Sequence, residues 1–82
     1  MKAVVLIRPK EGILDPQGEA VRQSLRKLGF DVSSARVGRV VDIELGDENG
    51  DPVRATATVE RMCSELLANP LIESFEIKIV DP

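Results

Sequence analysis

Few side chains in this sequence are equipped for chemistry: one thiol, Cys63, and two sets of carboxylates, Asp42 with Glu44, and Asp47 and Glu48 with Asp51. There is no histidine, so no Ser–His or Cys–His nucleophile arrangement can form within one chain. Cys63 falls on an apolar stripe between Val59 and Leu67, where a buried structural thiol is expected. One cysteine without histidine also leaves none of the usual zinc ligand sets. Asp47, Glu48 and Asp51 lie in a polar loop, residues 46–52, whose glycine and carboxylate spacing does not match an EF-hand, so a solvated loop is expected. No Gly-rich phosphate cradle occurs. The expectation is a chain with no catalytic residue and no metal ligand of its own.

What stands out is a stretch built for position, Leu14-Asp15-Pro16-Gln17-Gly18. Asp15 can cap the first N–H groups of a helix, and Pro16 fits its first position. Neither explains Gln17, nor Gly18, which in a first helical turn costs about 1 kcal/mol relative to Ala. Close approach by another backbone, or by a partner, is the reading that Gly18 suggests.

The elements around this stretch follow from periodicity. Residues 2–8 read as a strand with Ala3, Val5 and Ile7 on one face and Val4 and Leu6 on the other. Apolar residues on both faces imply that both are covered, one by the chain's own helices and the other by a second chain. Residues 16–28 read as a helix with Val21, Leu25 and Leu28 as its core stripe, closed by Gly29 at C′. Arg22 and Arg26 share a face that is expected to be solvated. Residues 32–45 are extended, and Gly38 is either a turn between two strands or a kink within one. Residues 53–59 alternate like a strand, with Asn49-Gly50 as a hairpin signal, yet Asp51-Pro52 repeats the helix-start dipeptide. Val59, Met62, Cys63, Leu66 and Leu67 then keep helical spacing, so a second helix is expected from Pro52 or Ala55 to Ala68, ended by Asn69-Pro70. Residues 74–80 form a last strand with Phe75, Ile77 and Ile79 inward.

The 82 residues allow one domain, 1–82, with a single small core that gains from association. With 43% hydrophobic and 30% charged residues the chain reads as globular, and its two aromatics, Phe30 and Phe75, leave the core to aliphatic side chains. A net charge of −3 argues against nucleic acid and anionic membranes. The lone cysteine, the lack of a signal-peptide pattern and the lack of a long apolar run point to the cytoplasm. The expected fold is α+β: a small, mostly antiparallel sheet of three to four strands with two helices on one face, related to ferredoxin-like folds and dimeric.

Three stretches carry a resemblance: residues 12–18 (GILDPQG), 36–39 (RVGR) and 66–73 (LLANPLIE). Together, at these separations, the sequence resembles PurS, the small subunit of phosphoribosylformylglycinamidine synthase, over nearly its whole length. It departs in Arg39, where the family usually has lysine, in Val40, where an aromatic is frequent, and in a longer loop at 46–52. The resemblance implies a required, non-catalytic subunit of a ligase of purine biosynthesis that uses ATP and ammonia from glutamine. It implies a homodimer, with a tetramer left open, that joins a PurL-type synthetase to a PurQ-type glutaminase and supports ammonia transfer. ATP and magnesium belong to the large subunit, with no cofactor in this chain.

Partner contacts are expected at Asp15, Pro16, Gln17, Arg36, Gly38, Arg39, Asn69 and Pro70, most of all at Gln17, Arg36 and Arg39; Leu14 is expected to pack in the core. Val4, Leu6 and Val40 are the expected oligomer contacts. The alternative from another class is a small-molecule regulatory domain like the ACT domains, which share the strand–helix alternation and pair through sheets.

Overall fold

The computed structural model describes residues 1–46 and 50–80. Asp47, Glu48 and Asn49, and with them part of the acidic loop and of the hairpin signal, lie outside the described residues. The order is β1 (Lys2–Pro9), α1 (Pro16–Lys27), β2 (Arg39–Glu44), α2 (Pro52–Met62), one π-helical turn (Cys63–Leu67) and β3 (Glu73–Val80). The strands form one sheet in the order β2-β1-β3, with β1 antiparallel to both neighbours. β2 and β3 therefore run parallel to each other, joined by α2 across β1, the split β-α-β unit found in ferredoxin-like folds.

The core is small and set by β1. Ala3, Val5 and Ile7 are fully buried, as are Ala55, Val59 and Cys63 from the helical segment above them. In register, Val5 lies between Val41 and Ile77, and Ala3 between Ile43 and Ile79, which extends the apolar layer to both neighbouring strands. Each buried Val or Ile is worth about 1.5–3 kcal/mol relative to an exposed one. The opposite face of β1, with Val4 and Leu6, is only partly covered.

α2 begins at the earlier of the two expected positions. The Asp51 carboxylate accepts the Arg54 N–H at 2.8 Å, and Pro52 occupies the first turn. The strand-like alternation over 53–59 is accommodated helically, because the Thr56 and Thr58 hydroxyls donate to the carbonyls of Pro52 and Arg54 four residues back. The wider π turn shifts the phase of the buried stripe near its end. Leu66, expected inside, is 85% exposed, while Leu67 and Ala68 turn inward.

α1 departs from expectation in packing and not in extent. Gly29, at φ 98°, closes it with a Schellman pair of bonds, Phe30 N–H to the Leu25 carbonyl and Gly29 N–H to the Arg26 carbonyl. Yet the stripe expected in the core is not there: Val21 and Leu28 are exposed, Leu28 by 74%, and Leu25 is only partly covered. The helix is anchored at its first turn and projects beyond the sheet, so most of its amphipathic face lies open among the described residues. The Cα radius of gyration, 16.0 Å, records this projection, since a compact chain of this length has about 12 Å.

The 32–38 segment forms no ladder, which leaves three strands. Gly38 is neither a hairpin turn nor a mid-strand kink; it precedes β2 and lies so close to the Ile7 carbonyl that a Cβ would overlap it. Gly18, the buried residue of α1, lies likewise against the Ala35 carbonyl and the Asp15 carboxylate. Gly18→Ala and Gly38→Ala are each expected to destabilise the fold by about 1–3 kcal/mol, because backbone must move to admit the methyl group. Urea unfolding checks this, and an unchanged midpoint for Gly18→Ala would mean that the start of α1 is not seated on residue 35.

Candidate functional site

The three sequence stretches meet at one end of the sheet, beyond the last residues of β1. Arg39 shares its sheet face with Ile7 and Val41, so its side chain starts on the helix-covered side. It reaches across β1 to Glu73, with Nη1–Oε2 at 2.5 Å and Nη2–Oε1 at 3.1 Å, and Nη2 also donates to the Leu67 carbonyl. That carbonyl belongs to the last helical turn, where acceptors lack intrahelical donors and a cation is favoured. Glu73 in turn accepts the Asn69 N–H at 2.7 Å. The Asn69 side chain accepts the Leu71 N–H at 3.1 Å, and its carbonyl accepts the Glu73 N–H at 2.7 Å, which fixes the 69–73 turn. Lys10 fastens that turn to the end of β1, donating from Nζ to the Pro70 carbonyl at 2.7 Å and from its backbone to the Ile72 carbonyl at 2.9 Å.

A second set of bonds holds the base of α1. Asp15 sits at the N-cap position, but its carboxylate makes no cap bond; it accepts the Val37 N–H at 2.8 Å instead. The expected local cap is thus replaced by a bond across 22 residues of sequence. Val37 N–H first, then the Gly18 and Gln17 N–H groups of the helix start and the Arg36 charge, hold the Asp15 carboxyl below its ordinary range. Arg36 donates to the Pro9 carbonyl at 3.1 Å. On the exposed face of α1, Arg22 pairs with Glu19.

Between these two sets lies a cleft of about 270 Å³. Asp15, Gln17, Gly38 and Arg39 line it, as do Ile13, Leu14, Ile72 and Glu73. Arg36 lies beside it, while Pro16, Asn69 and Pro70 are exposed around the junction. Leu14 is not a core residue: it is 85% exposed, because the link between β1 and α1 runs outside the sheet. Gln17 is exposed, and its side chain has no hydrogen-bond partner among the described residues. Val4, Leu6 and Val40 belong elsewhere, on the open sheet face, where Leu6 and Val40 are directly opposite each other.

Sequence reasoning missed Glu73 and Lys10 as parts of the junction. Glu73 stood inside the third stretch, but nothing local signals a partner 34 residues away. Cys63 is buried, and burial with the nearby Glu60 charge raises its thiol pKa, which keeps it protonated. No group of three or more His, Cys, Asp or Glu residues that could hold a metal occurs among the described residues. Arg36 and Arg39 are committed to bonds within the chain, and the cleft offers apolar rims and an amide. Such an arrangement can bind; it brings no nucleophile together with a base.

The Arg39 guanidinium, followed by the Asn69 N–H, lowers the Glu73 pKa, so the folded state binds protons less readily than the unfolded chain. Stability from Glu73, as from Asp15, is therefore present above the ordinary carboxylate range and lost as pH falls through the lowered folded values. Glu73→Gln is expected to lower the melting temperature at pH 7, with the gap to the unaltered protein narrowing as pH falls below the ordinary carboxylate range. A gap independent of pH in thermal melts would show that the charge is not what stabilises the turn.

Comparisons with known proteins agree with this geometry. The PurS family model, described as phosphoribosylformylglycinamidine (FGAM) synthase, matches residues 2–81. The phosphoribosylformylglycinamidine synthase subunit PurS of Methanocaldococcus jannaschii is 40% identical over 79 residues, covering 95% of this chain and 93% of that protein. The Bacillus subtilis PurS structure superposes with a TM-score of 0.84 at 31% identity, covering 98% of each chain. A chain of the structure of PurLQS from Thermotoga maritima matches with a TM-score of 0.76 at 28% identity, covering 94% of this chain and 93% of that one. A match over nearly the whole chain leaves the ACT-like alternative unsupported. The chain belongs to the PurS family, the subunits of FGAM synthase in purine biosynthesis.

Proposed function

We propose that this chain is the non-catalytic, dimeric subunit that joins a PurL-type synthetase to a PurQ-type glutaminase in the cytoplasm. In this reading ATP, magnesium and the bond-making chemistry stay with the synthetase, glutamine supplies ammonia through the glutaminase, and this chain helps keep the ammonia path closed. The observation that carries the proposal is uncovered apolar surface on a fold too small to dispense with it. The α1 stripe ends in the exposed Leu28 and Phe30, and the open sheet face carries Val4, Leu6 and the exposed Val40. Exposure of this extent marks surfaces that other chains cover. Membership of the family and the likeness to a chain of the Thermotoga maritima PurLQS structure support the choice of those chains. Asp15, Pro16, Gln17, Arg36, Gly38, Arg39, Asn69 and Pro70 then act as a firm junction beside which a larger subunit docks, with Gln17 as the free polar contact. No helix among the described residues is long and apolar enough to cross a membrane.

Reconstitution tests this directly. With glutamine and ATP present, FGAM formation by the two larger subunits is expected to fall to background when this chain is left out and to return when it is added. Full glutamine-dependent turnover by the larger pair alone would end the proposal. Leu6→Asp is expected to weaken association through the open face by roughly tenfold or more, since a buried Leu side chain is worth about 1.5–3 kcal/mol. Sedimentation equilibrium reads the association, and far-UV circular dichroism should remain unchanged.

A further inference from the structure

A second cavity, also of about 270 Å³, lies where the last residues of β1 meet those that lead into β2. Arg8, Arg36 and Arg39 line it, together with Gly38, Leu6 and Val40. No carboxylate is among the lining residues, although the chain as a whole has a net charge of −3. The neighbouring acids stand outside this cavity. Asp15 and Glu73 line the first cleft, where Asp15 accepts the Val37 N–H and Glu73 pairs with Arg39. Glu76 lies 3.8 Å from Arg8 in an exposed pair.

We propose that this cavity is a phosphate-binding site, in which Arg8 and Arg36 hold a free phosphate ion or the phosphate group of a small monoester. Arg36 gives one of its N–H groups to the Pro9 carbonyl at 3.1 Å, which fixes the guanidinium in place and leaves its other donors for a ligand. Arg8 supplies the second fork: its side chain is 57% exposed, and its pair with Glu76 is loose enough for a stronger anion to replace. Arg39 is wall more than ligand, because Glu73 and the Leu67 carbonyl already hold its guanidinium. One fork satisfies a carboxylate, whereas a phosphate group, with more charge and three oxygens, accepts from two. Neither Phe30 nor Phe75 lines the cavity, so no aromatic face is present on which a nucleobase would stack, and the ligand's remaining part is small and non-aromatic. This inference goes beyond the proposed function and does not rest on it. Arg8 and Arg36 lie past Leu6 and Val40 toward the end of β1, so a second copy on the open face would border the site.

The full chain tests this by titration with sodium phosphate and, at equal ionic strength, with sodium chloride and sodium acetate, followed by NMR shifts of the backbone amides and the arginine Nε–H groups. Saturable shifts at Arg8, Arg36, Gly38 and Val40 are expected with phosphate alone, weakening as salt is added because the site is exposed. Arg8→Gln and Arg36→Gln should each raise the Kd by roughly fivefold or more, about what one exposed charged contact is worth. Arg36→Gln also removes the bond to Pro9, so the decisive variants are on Arg8, whose only printed partner is the loose Glu76 contact. Arg8→Lys should bind between the unaltered chain and Arg8→Gln, and Glu76→Gln, which frees Arg8, should bind more tightly than the unaltered chain. Arg61→Gln, which removes an exposed charge from α2, should change nothing. Ribose 5-phosphate binding more tightly than inorganic phosphate would assign the site to a monoester, and equal binding would assign it to the free ion. Shifts shared with chloride show an adventitious ion only, acetate binding as well as phosphate shows a seat for a carboxylate, and an Arg8→Gln variant that binds unchanged shows that the cavity is not the site; each overturns the proposal.

Discussion

The structure depends on β1 being paired on both sides. A strand with two antiparallel neighbours fixes the register of β2 and β3 at once, and the alternation of its side chains decides which face is dry. Ala3, Val5 and Ile7 are completely buried for that reason, and α2 can add only Ala55, Val59 and Cys63 from above. The same register places Arg39 opposite Ile7 and Glu73 opposite Pro9, which brings the guanidinium and the carboxylate to the same end of the same face. The junction that closes the fold follows from strand pairing; it does not need a separate explanation.

Elements with local causes were legible in the sequence. The β1 alternation, the Asp-Pro start of each helix, Gly29 after α1 and the stop at Asn69-Pro70 all act within a few residues, and each lies where those rules put it. The failures are those of range. An amphipathic stripe announces that Val21, Leu25 and Leu28 will be covered but not by what, and in this chain they face outward. Asp15 carried every mark of a local cap, and its carboxylate went to Val37. Gly18 did signal close backbone approach, because a glycine that helix propensity would reject needs a steric cause, and Gly38, expected as a turn or a kink, has a cause of the same kind. The identity of the approaching segments, Ala35 and Ile7, was beyond the sequence.

The candidate site shows the same division. Three stretches far apart in sequence supplied its members, and the structure brings most of them to one cleft end. What the sequence could not distinguish was an arginine held for a partner from one already spent within the chain. Arg36 and Arg39 are of the second kind, bonded to the Pro9 carbonyl and to Glu73 and Leu67. Glu73, which gives Arg39 its role, belongs to the same cleft but follows no spacing rule that would have paired the two.

A junction whose charged groups are bonded internally differs in kind from an apolar face left open, and an assembling subunit needs both. Binding costs free energy for each side chain and loop that must be ordered, so a contact surface is more effective when its backbone is already fixed. The bonds through Asn69, Glu73, Arg39 and Lys10 fix the 69–73 turn before any partner arrives. Those through Asp15 and Arg36 fix the direction in which α1 leaves the sheet. The rigid part therefore sets the position of the adhesive part: α1 carries its apolar stripe outward from a base that cannot swivel without breaking the Asp15–Val37 bond and the Gly18–Ala35 contact. A chain of this size that kept its apolar stripe for its own core would have a more compact fold and less apolar surface left open.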